Sequence, residues 1–478
     1  AKFFTSNRDI VVNEPRERRF YDLTLDLAED ATQQDEEFWK LNRHQPLTAS
    51  EINVMNMIDT LKQIPPVKRL TDFITFLGTG FVDVGKFELG PYPLVYANNN
   101  IEGNRFRLGG RTTIDLIRNW ELSGYLAYGD KDKAWKYRAG VKHIMSRKPW
   151  SEIGVYSNRD IQQVGLTFDD VFSDINTYAF EAYFRNRDHE QPYYLRDQGI
   201  HFWQELRKGL HQKITLRHRD YRPINIDSSF NYAYKLQPEL VDSPLKQNFE
   251  VTEFSFETRY GKDELWVQND NSRFSIGPER LPIITLRYTL GLKNFLGGDF
   301  TYHKAAVNVY KKIKMGFLGI SRVSITGEKI FGEVPMPLLK GHIGNESPFY
   351  LSLAYNTMGF SEFVSDQYLE MNYSHHFEGF LFNRVPLFKK LKWRAVATGN
   401  ILWGSVSDDN LALHSPEGPN GLPNAPINTL NETPYIEVGY GIENIFRLFR
   451  IDAIHRLTYL DEAQGDKFAL RFSFEFNF

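Results

Sequence analysis

No cysteine occurs among the 478 residues, which removes disulfide frameworks, thiolate metal sites and a cysteine nucleophile. The absence leaves the compartment open, because oxidising compartments permit disulfides without requiring them. Long apolar runs are missing too. A membrane-spanning helix needs roughly 20 apolar residues, and the best stretch, Phe73 to Val84, is short and interrupted by Gly78, Gly80 and Asp83. If such a chain crosses a membrane, it crosses in strands, the other element whose backbone groups can all be paired within the protein. Charge of one sign is also lacking: 57 Lys+Arg against 60 Asp+Glu gives a net charge of -3, so no basic field holds nucleic acid. Ala1-Lys2-Phe3-Phe4 carries no basic n-region, apolar core and cleavage site, which reads as a processed chain or one that begins within a longer product.

What is abundant is aromatic. Phe and Tyr number 37 and 25, yet mean hydropathy is -0.44. A wall with one apolar and one polar face gives this pairing, since alternate residues cancel in the average. The C-terminus has this pattern: Phe468, Leu470, Phe472, Phe474, Phe476 and Phe478 alternate with Ala469, Arg471, Ser473, Glu475 and Asn477. Phe474, Phe476 and Phe478 therefore read as a barrel-closing strand and assembly signal. Period two recurs at Ile436, Val438, Tyr440 and Ile442 against Glu437, Gly439, Gly441 and Glu443, and at Ile451 and Ala453 against Arg450 and Asp452. Roughly 16 strands are predicted from 101 onward, among them 101–113, 281–293, 348–358, 364–378, 434–443, 447–460 and 466–478. Long polar insertions are expected near 164–193, 223–246, 261–280 and 405–433, with short turns between the others.

Residues 1–100 read differently. Thr48-Ala49-Ser50-Glu51 is a capping box that opens a helix near 51–64, stopped by Pro65-Pro66. Val54, Met55, Ile58 and Leu61 share one helical face, expected to pack on the barrel base or plug its lumen. The fold class is thus all-β: a transmembrane antiparallel β-barrel over 101–478 behind a small N-terminal α/β periplasmic or plug segment, 1–100.

No residues form a recognisable catalytic, cofactor or metal motif. Gly109-Gly110 and Gly297-Gly298 lack the strand-to-helix context of a phosphate loop and read as bulges or bends in strands. His375 and His376 are adjacent in a strand and face opposite sides, so they do not share a metal. Asp408-Asp409 and the loop to Thr433 lack calcium-loop spacing and read as a solvated loop. Arg105, Arg107, Glu437, Arg450, Asp452, Arg456, Arg471 and Glu475 lie on the polar alternation as candidate lumen charges. They read either as a salt-bridged filling or as a solute-selecting pathway.

Asp35-Glu36-Glu37-Phe38-Trp39, Pro46-Leu47-Thr48, Gly90-Pro91-Tyr92-Pro93 and the segment from Asn100 to Thr113 resemble a Bacteroidetes family of outer-membrane proteins. In that segment Glu102, Gly103, Gly109, Gly110, Arg111 and Thr112 carry the resemblance. It implies a barrel preceded by a carboxypeptidase-regulatory-like sandwich. More distantly, Gly439-Tyr440-Gly441-Ile442, Phe449-Arg450-Ile451-Asp452 and the aromatic last strand resemble the BamA and two-partner-secretion superfamily, which has 16 strands and inserts or exports proteins. That superfamily's Arg-Gly-Phe/Tyr loop motif is met here only by Met358-Gly359-Phe360, without the arginine. The resemblances imply a non-enzymatic outer-membrane barrel supporting protein export or biogenesis, with a solute pore or receptor subunit and a barrel enzyme as alternatives. The implied partners are outer-membrane lipid, the barrel-assembly machinery during insertion, and outer-membrane proteins or lipoproteins, with no cofactor.

Overall fold

Alternation of apolar and polar side chains dictates strands with two unlike faces, and long antiparallel strands dominate the computed structural model. The structure describes residues 15, 36–43, 45, 47–67, 69, 80–163, 178–189, 191–224, 232–240, 242–269, 271–278, 280–419, 421, 423–430, 432–461 and 465–474. The chain divides into two compact units, Ala1–Phe81 and Val82–Phe478.

The first unit contains α1 (Glu36–Asn42) and α2 (Ala49–Gln63). The capping box is present: the Thr48 hydroxyl accepts from the Glu51 amide, and the Glu51 carboxylate accepts from the Thr48 amide at 2.8 Å. Those hydrogen bonds from Thr48 hold the Glu51 carboxyl below its ordinary pKa. The apolar side chains Val54, Met55, Ile58 and Leu61 are exposed.

The second unit is built on one 18-stranded antiparallel sheet, so the all-β class is that of the structure. Three short strands come first: β1 (Val82–Val84), β2 (Phe87–Leu89) and β3 (Tyr96–Asn99). Then follow β4 (Gly103–Thr112), β5 (Trp120–Gly129), β6 (Trp135–Arg147) and β7 (Trp150–Gln163). After the helix α3 (Tyr178–Arg185) come β8 (Pro192–Arg207), β9 (Leu210–Pro223) and β10 (Phe249–Tyr260). A separate hairpin, β11 (Glu264–Asn269) and β12 (Ser272–Pro278), interrupts the wall. The wall resumes with β13 (Ile283–Gly291), β14 (Tyr302–Lys314), β15 (Ile320–Phe331) and β16 (Gln367–His376). Past the short helix α4 (Pro386–Leu391), it ends with β17 (Arg394–Ser405), β18 (Tyr435–Ile445), β19 (Phe449–Arg456) and β20 (Phe468–Phe474).

Outside the hairpin, each long strand pairs with the next. β2 and β3 both lie along the free side of β4, with the Tyr92–Leu94 turn between them, and act as one broken strand. Register aligns apolar with apolar on the outward face: Leu108 with Leu126, Val155 with Ile200, Phe256 with Tyr288, Leu369 with Trp403. Among the described residues β20 has no ladder with β2 or β3, so the sheet's two edges are not joined by one.

Several expectations are corrected. Residues 348–358, predicted as a strand, form turns, and much of that segment is buried, because its polar backbone is held by side chains of the wall. Sheet pairing starts at residue 82 rather than 101. The segment 261–280, read as a polar loop, contains the β11–β12 hairpin. Gly109 and Gly110 cause no bulge: β4 pairs regularly with β5 through both. Their smallness serves close approach instead, since a Cβ at Gly110 would lie 2.6 Å from the Glu88 carbonyl oxygen and one at Gly109 would lie 3.1 Å from that of Gly90. Gly297 and Gly298 lie in a loop, Gly297 at φ +90°, where only glycine is unstrained. The loop from Asp408 to Thr433, read as solvated, is partly buried among its described residues. Leu413 and Leu430 are buried, and Asn410 accepts from the Val334 amide at 2.8 Å. Glu475, Phe476, Asn477 and Phe478 lie outside the described residues, as do Ala1 to Phe4.

Gly110→Ala is expected to cost about 1–3 kcal/mol through the forced shift of the 88–90 backbone. Gly399→Ala, whose added Cβ meets nothing closer than 4.0 Å, is expected to be near neutral. Urea unfolding of the two variants measures the difference, and equal midpoints would defeat the packing argument.

Candidate functional site

Odd-numbered residues of β4 and even-numbered residues of β7 point to the buried face, where Arg105 and Asp160 meet. Arg105 makes a two-pronged bond to Asp160, at 2.8 and 2.9 Å, and a third bond to Glu102 at 2.7 Å. Glu102 also receives Lys136 at 2.8 Å, and Lys136 reaches Asp132 at 2.5 Å. The Tyr125 hydroxyl donates to Asp160 at 2.5 Å. Arg105, Glu102, Lys136 and Asp160 are essentially inaccessible to solvent. Such charges persist behind an apolar wall only when paired and hydrogen-bonded.

This cluster captures a loop. Arg185, the last residue of α3, donates to Asp160 at 3.1 and 3.3 Å and to the Ile161 carbonyl at 2.7 Å. Arg107 stacks 3.7 Å from the Tyr125 ring centre and lies 3.6 Å from Glu181 of α3. Asn100 and His189 clasp each other through side chain and backbone, at 2.9 and 3.3 Å. Gly103, at φ +66°, makes the turn that lets Asn104 engage Asp130 at 2.8 Å. Arg111 pairs with Glu88 of β2, and Thr112 accepts from the Leu122 amide at 3.0 Å. The six residues carrying the family resemblance thus shape one corner of the sheet.

At the far edge a second set of buried charges holds the long β15–β16 connection, residues 332–366, here called the strap. Glu437 accepts from the Asn356 and Thr357 amides, both at 2.9 Å, and from the Thr357 hydroxyl at 2.7 Å. Arg471 donates to the carbonyls of Asn345 and Asn356 at 2.7 and 2.6 Å. Arg456 grips Glu362 with two bonds of 3.0 and 2.7 Å, and Glu362 accepts from the Gly359 amide at 2.8 Å. Arg450 pairs with Asp452 at 2.7 and 2.8 Å and lies over Tyr350. The strap also reaches the free side of β20: the Tyr350 amide donates to the Phe472 carbonyl at 2.7 Å, and the Phe472 amide to that of Pro348 at 2.9 Å.

The two sets meet through the loops. Arg187, just past α3, binds Glu346 of the strap at 2.5 Å and lies 4.2 Å from the ring centre of Phe360. Phe360 belongs to Met358-Gly359-Phe360, which is buried. Around the strap, Tyr193, Tyr221, Tyr234, Phe249, Met336 and Val406 build an apolar core that fills the interior at the long-loop end. Below it remains a cavity of about 670 Å³, lined by Asn308, Tyr310, Arg322, Glu370, Asn372 and Asn400 among others. At the short-turn end the β11–β12 hairpin folds onto the wall through Trp266 against Trp203 and His211, with Asn271 receiving Lys142 and Arg147 at 2.8 Å. His375 contacts Ser321 and His376 contacts Glu443, each at 2.7 Å and on opposite faces. Among the described residues no group of three His, Asp or Glu is set to hold a metal.

All the described candidate lumen charges lie on the buried face. Sequence reasoning missed Asp160, Lys136, Glu362 and Arg185. Asp160 has a signal, the polar alternation Asn158, Asp160, Gln162, whereas Arg185 at the end of α3 and Glu362 in the strap lie outside the strands, where period two says nothing.

These features define an all-β protein whose single large sheet carries an apolar outer face and a charged inner face filled by its own loops. A model of the family of unknown function (DUF5686), C-terminal domain, matches residues 87–409, and the chain belongs to that family. No curated protein matches significantly. Among solved structures the chain is similar to BamA from Haemophilus ducreyi lacking POTRA domains 1-3, at 9% identity and TM-score 0.48, covering 82% of this chain and 71% of that one. It is also similar to CdiB from Acinetobacter baumannii, at 9% identity and TM-score 0.39, covering 79% of this chain and 58% of that one. CdiB from Escherichia coli gives 12% identity and TM-score 0.42, with 78% and 59% covered.

Asp160→Asn leaves Arg105 and Arg185 buried without their shared anion and is expected to cost about 3–5 kcal/mol, measured by urea unfolding; a loss under 1 kcal/mol would show that water reaches the cluster. Burial, aided by the Arg185 charge, pushes the His189 imidazole down from 6.5 to about 3, against the opposing pull of Glu102 and Asp160. The unfolded chain then binds a proton that the folded loop refuses, so this stability is present above pH 6.5 and is lost as pH falls toward 3. Hydrogen exchange over 178–189 is expected to speed up between pH 6.5 and 4, after correction for intrinsic rates, and His189→Gln to remove that dependence. Identical corrected profiles for the two proteins would reject it.

Proposed function

We propose that this chain is an integral outer-membrane β-barrel of a Gram-negative, Bacteroidetes-type cell, non-enzymatic, working within an outer-membrane assembly that supports protein export or biogenesis. The observation that carries the membrane reading is the outward belt. Leu108, Phe106, Leu126, Val155, Leu286, Tyr440 and Leu470 are each more than half exposed, distributed over β4, β5, β7, β13, β18 and β20, and Val141, Ile200, Phe256, Val307, Leu369 and Trp403 are exposed on strands between them. Water does not tolerate a continuous apolar surface of that extent on a soluble monomer, whereas lipid requires it. The long connections 164–191, 332–366 and 406–434 share one end of the wall, which this reading assigns to the outside, and the mostly shorter turns share the other, assigned to the periplasm.

A role in assembly rather than solute passage is supported by the filled interior. Charges that would select solutes in a pore are instead bonded to one another and to the strap. Away from Phe472, whose free side the strap takes up, the edges β3 and β20 offer backbone groups to another strand, a known mode of recognition. Outer-membrane lipid, the assembly machinery during insertion and outer-membrane proteins or lipoproteins are the partners this reading requires.

Because the chain has no cysteine, Leu470→Cys and Tyr96→Cys each introduce a unique thiol for a photoreactive maleimide. In native membrane the edge positions are expected to capture one recurring membrane protein, identified by mass spectrometry, while Val155→Cys in mid-wall does not. Capture that is equal at all three positions, or absent at the edges, rejects the assembly reading. Large steady conductance in planar bilayers would favour a pore.

A further inference from the structure

The turn 315–319 and the connection 377–393 adjoin at the short-turn end, because β15 and β16 are paired up to Ile320 and His376. Their sequences are unusual in two ways at once. Residues 311–319 hold Lys311, Lys312 and Lys314 with no acid, and residues 377–394 hold Arg384, Lys389, Lys390, Lys392 and Arg394 against Glu378 alone. Glu378 is taken up by Arg394 at 2.5 Å. Among the described residues, no carboxylate forms a salt bridge with Lys311, Lys314, Lys389, Lys390 or Lys392. By contrast, residues 406–434 at the opposite end carry Asp408, Asp409, Glu417 and Glu432 and no Lys or Arg.

Between these cations stand apolar side chains open to the surroundings: Phe317 at 78% exposure and Leu387 at 61%, with Leu381, Val385 and Leu391 near 40%. They are held in place rather than loose. Pro386 starts α4 and Lys392 closes it in the left-handed region, at φ +57°. Phe388 is clamped between Phe382 and Trp393, with ring centres 4.7 and 5.6 Å away. Asn444 of β18 donates to the Lys392 carbonyl at 2.6 Å. Phe317 packs on Phe380, 5.7 Å between centres, and Arg384 lies over the Phe380 ring, 4.8 Å from its centre. Continuing the outward face of β16, His375 meets Phe377 at 4.3 Å, so the apolar belt runs into this aromatic shelf.

Exposed Leu and Phe interleaved with lysines suit neither water nor hydrocarbon. They suit the headgroup layer, where apolar tips enter the acyl boundary and ammonium groups reach anionic phosphates. We propose that Lys311, Lys314, Lys389, Lys390 and Lys392, with Phe317, Leu387 and Leu391 as anchors, form a binding shelf for anionic phospholipid headgroups at one rim of the wall. The inference rests on the membrane reading above and adds the lipid class that the rim selects.

The test uses the full chain in neutral detergent, titrated with dioleoyl phosphatidylglycerol or dioleoyl phosphatidylcholine, with bound lipid read by native mass spectrometry. The wild type is expected to retain the anionic lipid at least about tenfold better. Each lysine near an anionic surface contributes roughly fivefold, so the triple variant Lys314→Gln, Lys389→Gln, Lys390→Gln is expected to lose that preference. Lys235→Gln, at the opposite end, is expected to keep it. Equal retention of both lipids by the wild type, or preference surviving in the triple variant, overturns the shelf. Incorporation into nanodiscs and a shift in gel migration on boiling test the membrane barrel separately: a chain that passes both but shows no lipid preference loses only this inference.

Discussion

A carboxylate set behind an apolar wall has no water to neutralise it, and the loops of this protein go where such carboxylates hold them. Asp160 draws Arg185 and with it α3; Glu437 draws the amides of Asn356 and Thr357; Glu362, carried by the strap itself, is drawn to Arg456. Leaving any of these anions unpaired is costlier than a typical surface contact by several-fold. The interior is therefore filled by segments that polarity alone would send into solvent. The apolar core around Met336 and Val406 closes over them, and a cavity lined in part by His342, Tyr350 and Tyr355 of the strap lies beneath.

The same interactions decide what the sheet edges do. Arg471 fixes the strap at Asn345 and Asn356, and the residues between them are thereby brought to the free side of β20, where Pro348 and Tyr350 bond to Phe472. At the other edge, β2 and β3 lie against β4 because Gly109 and Gly110 have no Cβ to keep them off. Edge protection, interior filling and loop placement are three results of one set of buried polar bonds. The basic shelf near α4 stands apart from this set; its lysines are exposed at the rim, where a charge takes a partner from the surroundings.

Much of the wall was readable from alternation alone. Fifteen of the predicted strands correspond to the long strands β4 to β10 and β13 to β20, because period two is a local property set by which face each side chain meets. The sixteenth, 348–358, failed because alternation alone does not supply a partner: Tyr350, Ser352 and Ala354 alternate, but only Tyr350 meets a strand, at Phe472 of β20, and no ladder follows. The place beside β4 is filled by residues 87–99, whose prolines Pro91 and Pro93 break the pattern. The polar face of the wall was visible as Arg105, Glu437, Arg450, Asp452, Arg456 and Arg471. What comes in from the connections was not, since Glu362 of the strap and Arg185 at the end of α3 lie outside the strands, with no period two to read.

The sequence by itself determined that the protein is all-β, that its strands have one apolar and one charged face, and that a capping box starts a helix at Thr48, since each depends on residues a few positions apart. Only the tertiary structure decided that the charged face is filled, that the strap lies along the last strand, and that two separate basic segments form one rim. Those outcomes depend on bonds between residues such as Asp160 and Arg185, Thr357 and Glu437, or Phe317 and Phe380. Such residues are brought together only when the ladder of strands has fixed the distance between its ends.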